Sequence, residues 1–300
     1  MWNKLERKAY NYLREFFREM PYRLSIYSLP SLIAWGEGSY HAFYDEAGDA
    51  LILSIEEHTK DRYLLMPISK EVWAPTWLYE LALATGIGQI RFVPRDYIQT
   101  VGEDSIWPWF EIKEEVEYAD YVYLTSDLAE LKGNKYAAKR NLIHQFARDY
   151  LDKNRVEVGQ IAKSHRQECL AFLEKWCEER HCDGQGEEKI LLCEKQAIAC
   201  ALDTIEELPW RGIYVKIDGE VCGFAIMSPL TGEMGVLNFE KAYGSIKGLY
   251  QFLDRECARR LFFDLTFINK ESDMGLPTLR ETKNSYHPRE MIKSFRLTAI

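Results

Sequence analysis

A chain of 300 residues with a net charge of -9, 47% hydrophobic and 28% charged, has the make-up of a globular protein with ample core for one large domain or two ordinary ones. That balance excludes disorder and excludes a broad nucleic-acid-coating surface, which needs many basic groups to neutralise phosphates, although a local basic site stays open. No apolar run reaches the length of a membrane span and the amino terminus lacks the apolar core of a secretory signal, so a cytoplasmic protein, at most peripheral to the inner membrane face, is expected.

The first twenty residues place Trp2, Leu5, Ala9, Leu13, Phe16 and Met20 on one helical stripe, with Lys4, Arg7, Lys8, Arg14 and Arg18 largely off it. Such a helix either lies on an anionic lipid surface or packs on its own domain; a single short helix binds lipid only weakly. From Leu24 to Phe92 the text turns to short extended runs, among them ALILSIE and YLLMPI, broken by Gly- and Asp-rich turns. WLYELALATG predicts a helix ending at Gly86, and IRFVP and YVYLT predict strands. These make a first α/β half with a mixed sheet.

Lys132 to Leu151 predicts a further helix. Setting Lys135 at zero, Lys139 falls near ~40°, Phe146 near ~20° and Tyr150 near ~60°, so two lysines share the apolar stripe at the helix amino end. An inward lysine needs an acidic partner or a bound anion unless its stem reaches out to solvent. The dipole and free N–H groups of a helix start favour an anion there.

Val156 to Ile161 predicts a strand, followed by helices over Ser164 to Glu179 and Glu187 to Glu206 with the polar HCDGQGEE as the loop between them. The seven cysteines include no C-x-x-C pair, and the His165/Cys169 and His181/Cys182 spacings match no common zinc pattern. Reduced thiols acting as small apolar residues, and no metal, are expected. Ile213 to Ile217 and Val221 to Met227, joined by Asp218-Gly219, predict a hairpin with a two-residue turn. The strand VLNFEKA and a helix with Leu249, Phe252, Leu253, Cys257 and Leu261 at helical spacing follow.

The last informative stretch is LFFDLTFINKESDMGLPTLRETKNSYHP, Leu261 to Pro288. Its aromatic and branched opening, Phe262 to Ile268, predicts a strand buried on both faces. Asn269, Lys270, Glu271 and Asp273 come next, and then a helix opened by Pro277 that carries Arg280, Lys283 and Tyr286. Charged and amide groups at the carboxyl end of an interior strand lie where α/β sheets usually hold ligands, although a plain turn selects the same residue types. The fold class expected is α/β (α+β), with domains 1–151 and 152–300, each a mixed twisted sheet flanked by helices.

That order, with YSLPSLIAW, KGNKYAAKRN, NFEKAYGSIKGLYQF and FINKESDMGLPTLRETKNSYHP, resembles the GNAT acyltransferase fold. More closely, it resembles the stand-alone relatives of the soluble carboxyl-terminal domain of bacterial phosphatidylglycerol lysyltransferases, which carry two GNAT-like halves. The resemblance implies an acyltransferase. In the lipid enzymes an aminoacyl group passes from aminoacyl-tRNA to a lipid head group; with no membrane span here, a small-molecule amine or hydroxyl is an equal candidate acceptor. The Q/R-x-x-G-x-G/A loop that cradles coenzyme A in ordinary GNAT enzymes is absent. In its place stands Tyr243-Gly244-Ser245-Ile246-Lys247-Gly248, whose Gly244, Lys247 and Gly248 could still hold phosphate, so acyl-coenzyme A is the alternative donor.

By the same resemblance Lys283 and Tyr286 would face the reacting centre. Glu240 would accept a proton or bind the aminoacyl ammonium, and Asn269 and Arg280 would orient donor or acceptor. Lys135, Lys139 and Arg140 would hold phosphate or the tRNA end. Against these roles stand the plainer ones: charge complementing a helix end for Lys283 and Arg280, packing for Tyr286. A module that keeps the fold, binds a ligand and turns nothing over is the third reading.

Overall fold

The computed structural model describes residues 2–18, 20–179 and 187–300. The first run of elements is β1 (Asn3–Lys4), α1 (Tyr10–Phe17), α2 (Leu29–Gly36), β2 (Tyr40–Ala47), β3 (Ala50–Glu57), β4 (Arg62–Leu64), α3 (Pro75–Thr85), β5 (Gln89–Pro94), α4 (Arg95–Val101), the single turn α5 (Glu103–Ile106) and β6 (Phe110–Glu114). A linking run follows: β7 (Asp120–Leu124), α6 (Thr125–Glu130) and α7 (Ala137–Asp149). The second long run is β8 (Val156–Gln160), α8 (Arg166–Glu179), α9 (Glu187–Asp203), β9 (Arg211–Ile217), β10 (Glu220–Pro229), β11 (Met234–Ala242), α10 (Leu249–Arg260), β12 (Phe267–Asn269), α11 (Pro277–Asn284) and β13 (Glu290–Ile292). The strand β14 (Ser294–Ala299) comes last.

Apart from α5 the two long runs have the same order, and so do their sheets. One reads β1-β2-β3-β4-β5-β14-β6 and the other β8-β9-β10-β11-β12-β7-β13. In each, the sixth position is filled from outside the run. β14 pairs with β5 and β6, while β7 pairs with β12 and β13. The chain therefore crosses position 151 twice in the sheets, and each half is completed by a strand lying on the other side of the proposed boundary at 151.

Local chemistry sets the turns. At Asp218 and Gly219, φ is +52° and +87°, the left-handed pair that a two-residue hairpin requires, and β9 and β10 pair on either side. Gly86 stops α3 in the left-handed conformation, its N–H returning to Ala82 and Leu83. The amino-terminal helix is shorter than its stripe predicts: Asn3 and Lys4 pair with β2, and α1 begins at Tyr10 with Leu13 fully buried. The expected strand from Phe262 to Ile268 is corrected to Phe267–Asn269. The six residues between α10 and β12, Leu261 to Thr266, make the turn that carries the chain from the helix layer down to the sheet. Within that turn Phe262 is buried while Phe263, 71% exposed, lies under the Arg211 guanidinium. The loop predicted over 181–188 falls largely outside the described residues.

The second sheet is covered on both faces. Phe224, Ile226 and Phe239 join α8, α9 and the first half in one continuous core. Val215, Ala225, Met227 and Leu237 pack instead with Phe252 and Leu253 of α10 and Phe146 of α7. Full burial of each such side chain contributes about 2 kcal/mol, so the seam between the halves is as apolar as a domain interior. No described helix is long and apolar enough to cross a membrane.

Candidate active site

β11 and β12 run parallel and pair only over Met234 to Val236 against Phe267 to Asn269. Beyond Val236, β11 continues on β10 alone and the chain after Asn269 turns away, opening a V at the carboxyl ends of two parallel strands. The register of β10 on β11 also slips there: Ile226 faces Phe239 and Met227 faces Leu237, leaving Asn238 as an extra residue. A bulge of this kind re-aims the side chains around it. Phe239 and Asn238 turn to the seam between the halves, and Glu240 turns to α10.

On the α10 side, Lys270 Nζ lies 3.1 Å from Glu240 and 2.6 Å from Asp254, with only 13% of its side chain accessible. Burial opposes the charge on Lys270, but Asp254 and Glu240 outweigh it and hold the ammonium above the usual lysine range. One ammonium shared by two acids leaves a carboxyl over: burial, then Asp254, pushes Glu240 up to about 7. The Tyr286 ring closes this cluster. Lys139 Nζ sits 4.0 Å above the ring centre and bonds Ser285 Oγ at 2.6 Å, while Lys270 approaches the ring at 5.3 Å. Burial lowers Lys139 from its ordinary value, with Asp254 partly opposing.

On the seam side stands Glu271, whose backbone takes a left-handed φ of +59°. Asn238 Nδ2 approaches its carboxyl at 3.4 Å, and burial pushes the group up to about 8. Asn238 Oδ1 accepts from Ser228, whose hydroxyl meets Ser28 of the first half at 2.7 Å. Lys283 donates to the carbonyls of Lys270, of Glu271 at 3.0 Å and of Ser272 at 2.7 Å. Burial draws Lys283 down to about 8, with Glu271 and Asp120 opposing. All three ammonium hydrogens have acceptors, so this side chain ties the turn after β12 into one shape. Asn269, fully buried, donates to Asp120 at 2.8 Å and to the Arg23 carbonyl at 3.0 Å, and it accepts from the Glu271 N–H at 2.7 Å.

Glu240, Tyr286 and Lys139 thus gather on the α10 side of the splay, while Asn269 and Lys283 hold the turn after β12. Lys135 lies at the rim of the same region, its carbonyl 3.3 Å from His287, its ammonium 3.2 Å from Asp127 and half exposed. Arg140 binds the carbonyls of Leu131 and Gly133 and so braces the entry to α7. Arg280 pairs with Asp273 at 2.8 Å, an acid that also accepts from Tyr121 at 2.6 Å. Gly244 and Lys247 are exposed in the turn before α10. Gly248 caps that helix at φ +83°, and a Cβ there would fall 2.1 Å from the Leu142 carbonyl: its bare backbone is where α7 packs.

Asn238 and Asp254 go unnamed in the sequence reading, and Lys270 and Glu271 are named there only as part of a polar cluster, without a role. Asp254 carried a signal, an acid within the run Leu253, Asp254, Cys257 and Ala258 of an otherwise apolar helix face. Asn238 carried none, because a bulge depends on the partner strand. A shallow depression of about 460 Å³ lined by Arg23, Thr231, Met234, Phe267 and Glu290 lies at the other end of the β11/β12 pair, away from this chemistry.

A model of the family described as phosphatidylglycerol lysyltransferase, C-terminal, matches residues 17–298. Among solved structures, a conserved protein of unknown function from Bacteroides thetaiotaomicron VPI-5482 is 27% identical with a TM-score of 0.88, covering 100% of this chain and 99% of that one. The DUF2156 C-terminal domain assigned to a lysylphosphatidylglycerol synthetase from Agrobacterium fabrum is 13% identical, TM-score 0.64, over 97% of this chain and 91% of that one. FemX is 9% identical, TM-score 0.57, over 99% and 96%, a likeness of fold. No curated protein matches the chain in sequence. The two mixed sheets with their flanking helices are the GNAT-like acyltransferase fold, and the chain belongs to the phosphatidylglycerol lysyltransferase C-terminal family.

Proposed function

We propose that this acyltransferase moves an aminoacyl group from the ester of an aminoacyl-tRNA to an amine or hydroxyl acceptor, on a small molecule or a lipid head group. The observation that carries the reading is the Glu271 carboxyl, set beside the Asn238 bulge at the mouth of two splayed parallel strands and held near neutrality at about 8. A base so poised takes a proton efficiently at working pH and can return it. The acceptor N–H or O–H loses its proton to the Glu271 carboxylate while its lone pair attacks the ester carbon. The carbonyl π pair moves onto oxygen; on collapse the C–O ester bond breaks and the departing tRNA 3′-oxygen takes the proton back from Glu271. Atoms and charge balance without a covalent enzyme intermediate.

In this reading Lys283 and Asn269 are positioning residues, because their hydrogens are committed to the turn that presents Glu271. Glu240, with Lys270 and Asp254, forms a polar wall on the α10 side, the face of the sheet opposite Glu271, and braces the splay instead of meeting the aminoacyl ammonium. Tyr286 closes that wall. Lys139, Lys135 and Arg140 at the start of α7 face the approach of the tRNA end, and Arg280 would orient the acceptor from the rim. For an acyl-coenzyme A donor, Gly244 and Lys247 would carry the phosphates. Gly248 supports that alternative least, since the α7 backbone lies against it.

The test is incubation with a panel of charged tRNAs, following loss of the ester and appearance of the aminoacylated acceptor. Turnover by the intact protein with loss of at least about 10²-fold in Glu271→Gln is expected. Saturable thermal stabilisation by coenzyme A, with none by tRNA, would move the assignment to the other donor.

A further inference from the structure

The charged groups of the site come from the linking run and the second half, yet the seam presents the first half to it. Trp35 of α2 stacks near Phe239 at 6.0 Å, and Ser28 bonds Ser228 at 2.7 Å, so the corner from α2 into β2 lies over the β11 bulge. Gly38 in that corner is pressed against Gln196 of α9 so tightly that a Cβ would fall 2.3 Å from its side-chain oxygen. Tyr40 opens β2 from this corner, its ring packed on the shared core. Its hydroxyl is buried and finds no hydrogen-bond partner among the described residues. The Glu271 carboxyl lies near enough to act on it electrostatically, and burial keeps the phenol protonated well above its ordinary range.

A buried O–H without a partner costs about 1–3 kcal/mol of desolvation that nothing in the fold returns. A phenylalanine would fill the same space at no such cost. The hydroxyl is therefore spent on something other than stability. It is a permanent donor, and Glu271, the second half's base, is among the groups close enough to act on it. Resting on the acyl-transfer reading above, we propose that Tyr40 of the first half is a catalytic residue: its hydroxyl donates the hydrogen bond that takes up the carbonyl oxygen of the acyl donor as the tetrahedral centre forms. The step adds no atoms. The π pair that reaches oxygen on attack is met by the Tyr40 O–H, which keeps its proton and releases the oxygen when the C=O bond re-forms. The site would then be made from both halves, which is a use for their apolar, closely packed seam.

Tyr40→Phe tests this, read three ways: thermal unfolding, single-turnover transfer from charged tRNA, and binding of a hydrolysis-resistant 3′-amide analogue of aminoacyl-adenosine. The expected variant unfolds at the wild-type temperature or higher. Its kcat falls by about 10²-fold, the usual effect of losing one oxyanion donor, with KM changed much less. It binds the analogue about tenfold more weakly, the loss of one hydrogen bond. A variant as active as wild type overturns the proposal, and so does one that binds the analogue equally well. A melting temperature several degrees lower also overturns it, since the hydroxyl would then serve the fold. If the wild type transfers no aminoacyl group but analogue binding still depends on Tyr40, the aminoacyl reading fails and the Tyr40 contact stands. An analogue that binds neither protein overturns both.

Discussion

Lys270 is the residue on which the α10 side of the site turns, because its ammonium neutralises two carboxyls that are themselves nearly buried. Replacing it by methionine keeps the stem's packing and strands both acids. Lys270→Met should lower stability by about 3–5 kcal/mol, measured by urea unfolding, the usual cost of breaking a buried pair from one side. Glu240 gives a pH signature. Its folded-state value is raised from 4.5 to about 7, so between those limits the folded protein holds a proton that the unfolded chain has released. Stability from this group is full below about 4.5 and is lost as pH rises through 7. The melting temperature should fall across that window, and Glu240→Gln should flatten the fall. Under the proposed mechanism activity runs the other way, since Glu271 acts there as an ionised carboxylate: single-turnover rates should climb through pH about 7 to 8, and Glu271→Gln should abolish the limb rather than move it. Lys270 and Glu271 were visible in the sequence as a polar cluster after a strand. Their separation onto opposite faces of the sheet was not, since adjacent residues leaving a strand diverge only once both faces are known to be covered.

At the scale of elements, the contact between α7 and the start of α10 fixes where the lysines of α7 stand. Gly248 permits it twice over, by its left-handed φ and by the 2.1 Å that a side chain would have to Leu142's carbonyl. Gly248→Ala should therefore destabilise the protein by about 2–4 kcal/mol through strain and forced separation of the helices. The companion change Gly244→Ala, in the exposed turn just before, should lie within about 0.5 kcal/mol of wild type. Chemical unfolding of the two variants side by side checks both. The inward lysine inferred from periodicity is a matter of two residues with different fates. Lys139 is half-buried over the Tyr286 ring, while Lys135, in the 3-10 turn that precedes α7, points to Asp127 and solvent. A regular 100° wheel cannot foresee that the first turn is wound more tightly. Likewise Phe262 to Leu265 looked like strand by composition, and was used instead for the turn that sets β12 level with Met234.

For the whole molecule, the exchange of β7 and β14 makes the halves interdependent. Separately produced pieces 1–151 and 152–300 would each lack the strand that fills the sixth place of a sheet, leaving paired edges open on both sides of the gap. Neither piece should give a cooperative unfolding transition alone; mixing them during refolding should restore one, followed by near-ultraviolet circular dichroism. Removing residues 294–300 alone should disrupt the first half, although those residues lie farthest from it in sequence, because Phe295, Leu297 and their neighbours hold β5 to β6.

What the sequence determined by itself was local in origin. Hydrophobic periods placed the helices and the long strands, Asp218-Gly219 and Gly86 set their turns, and the polar text after Ile268 marked the end of the sheet where buried charged and amide groups gather. These follow from the preferences of a few neighbouring residues. The reciprocal exchange of strands, the bulge that turns out Asn238, the pairing of Lys270 with an acid from α10 and the arrival of Tyr40 from the other half were decided only by the tertiary structure. Each depends on which distant backbone lies alongside and how much water is left between, and those conditions exist only once the two halves have closed on one another.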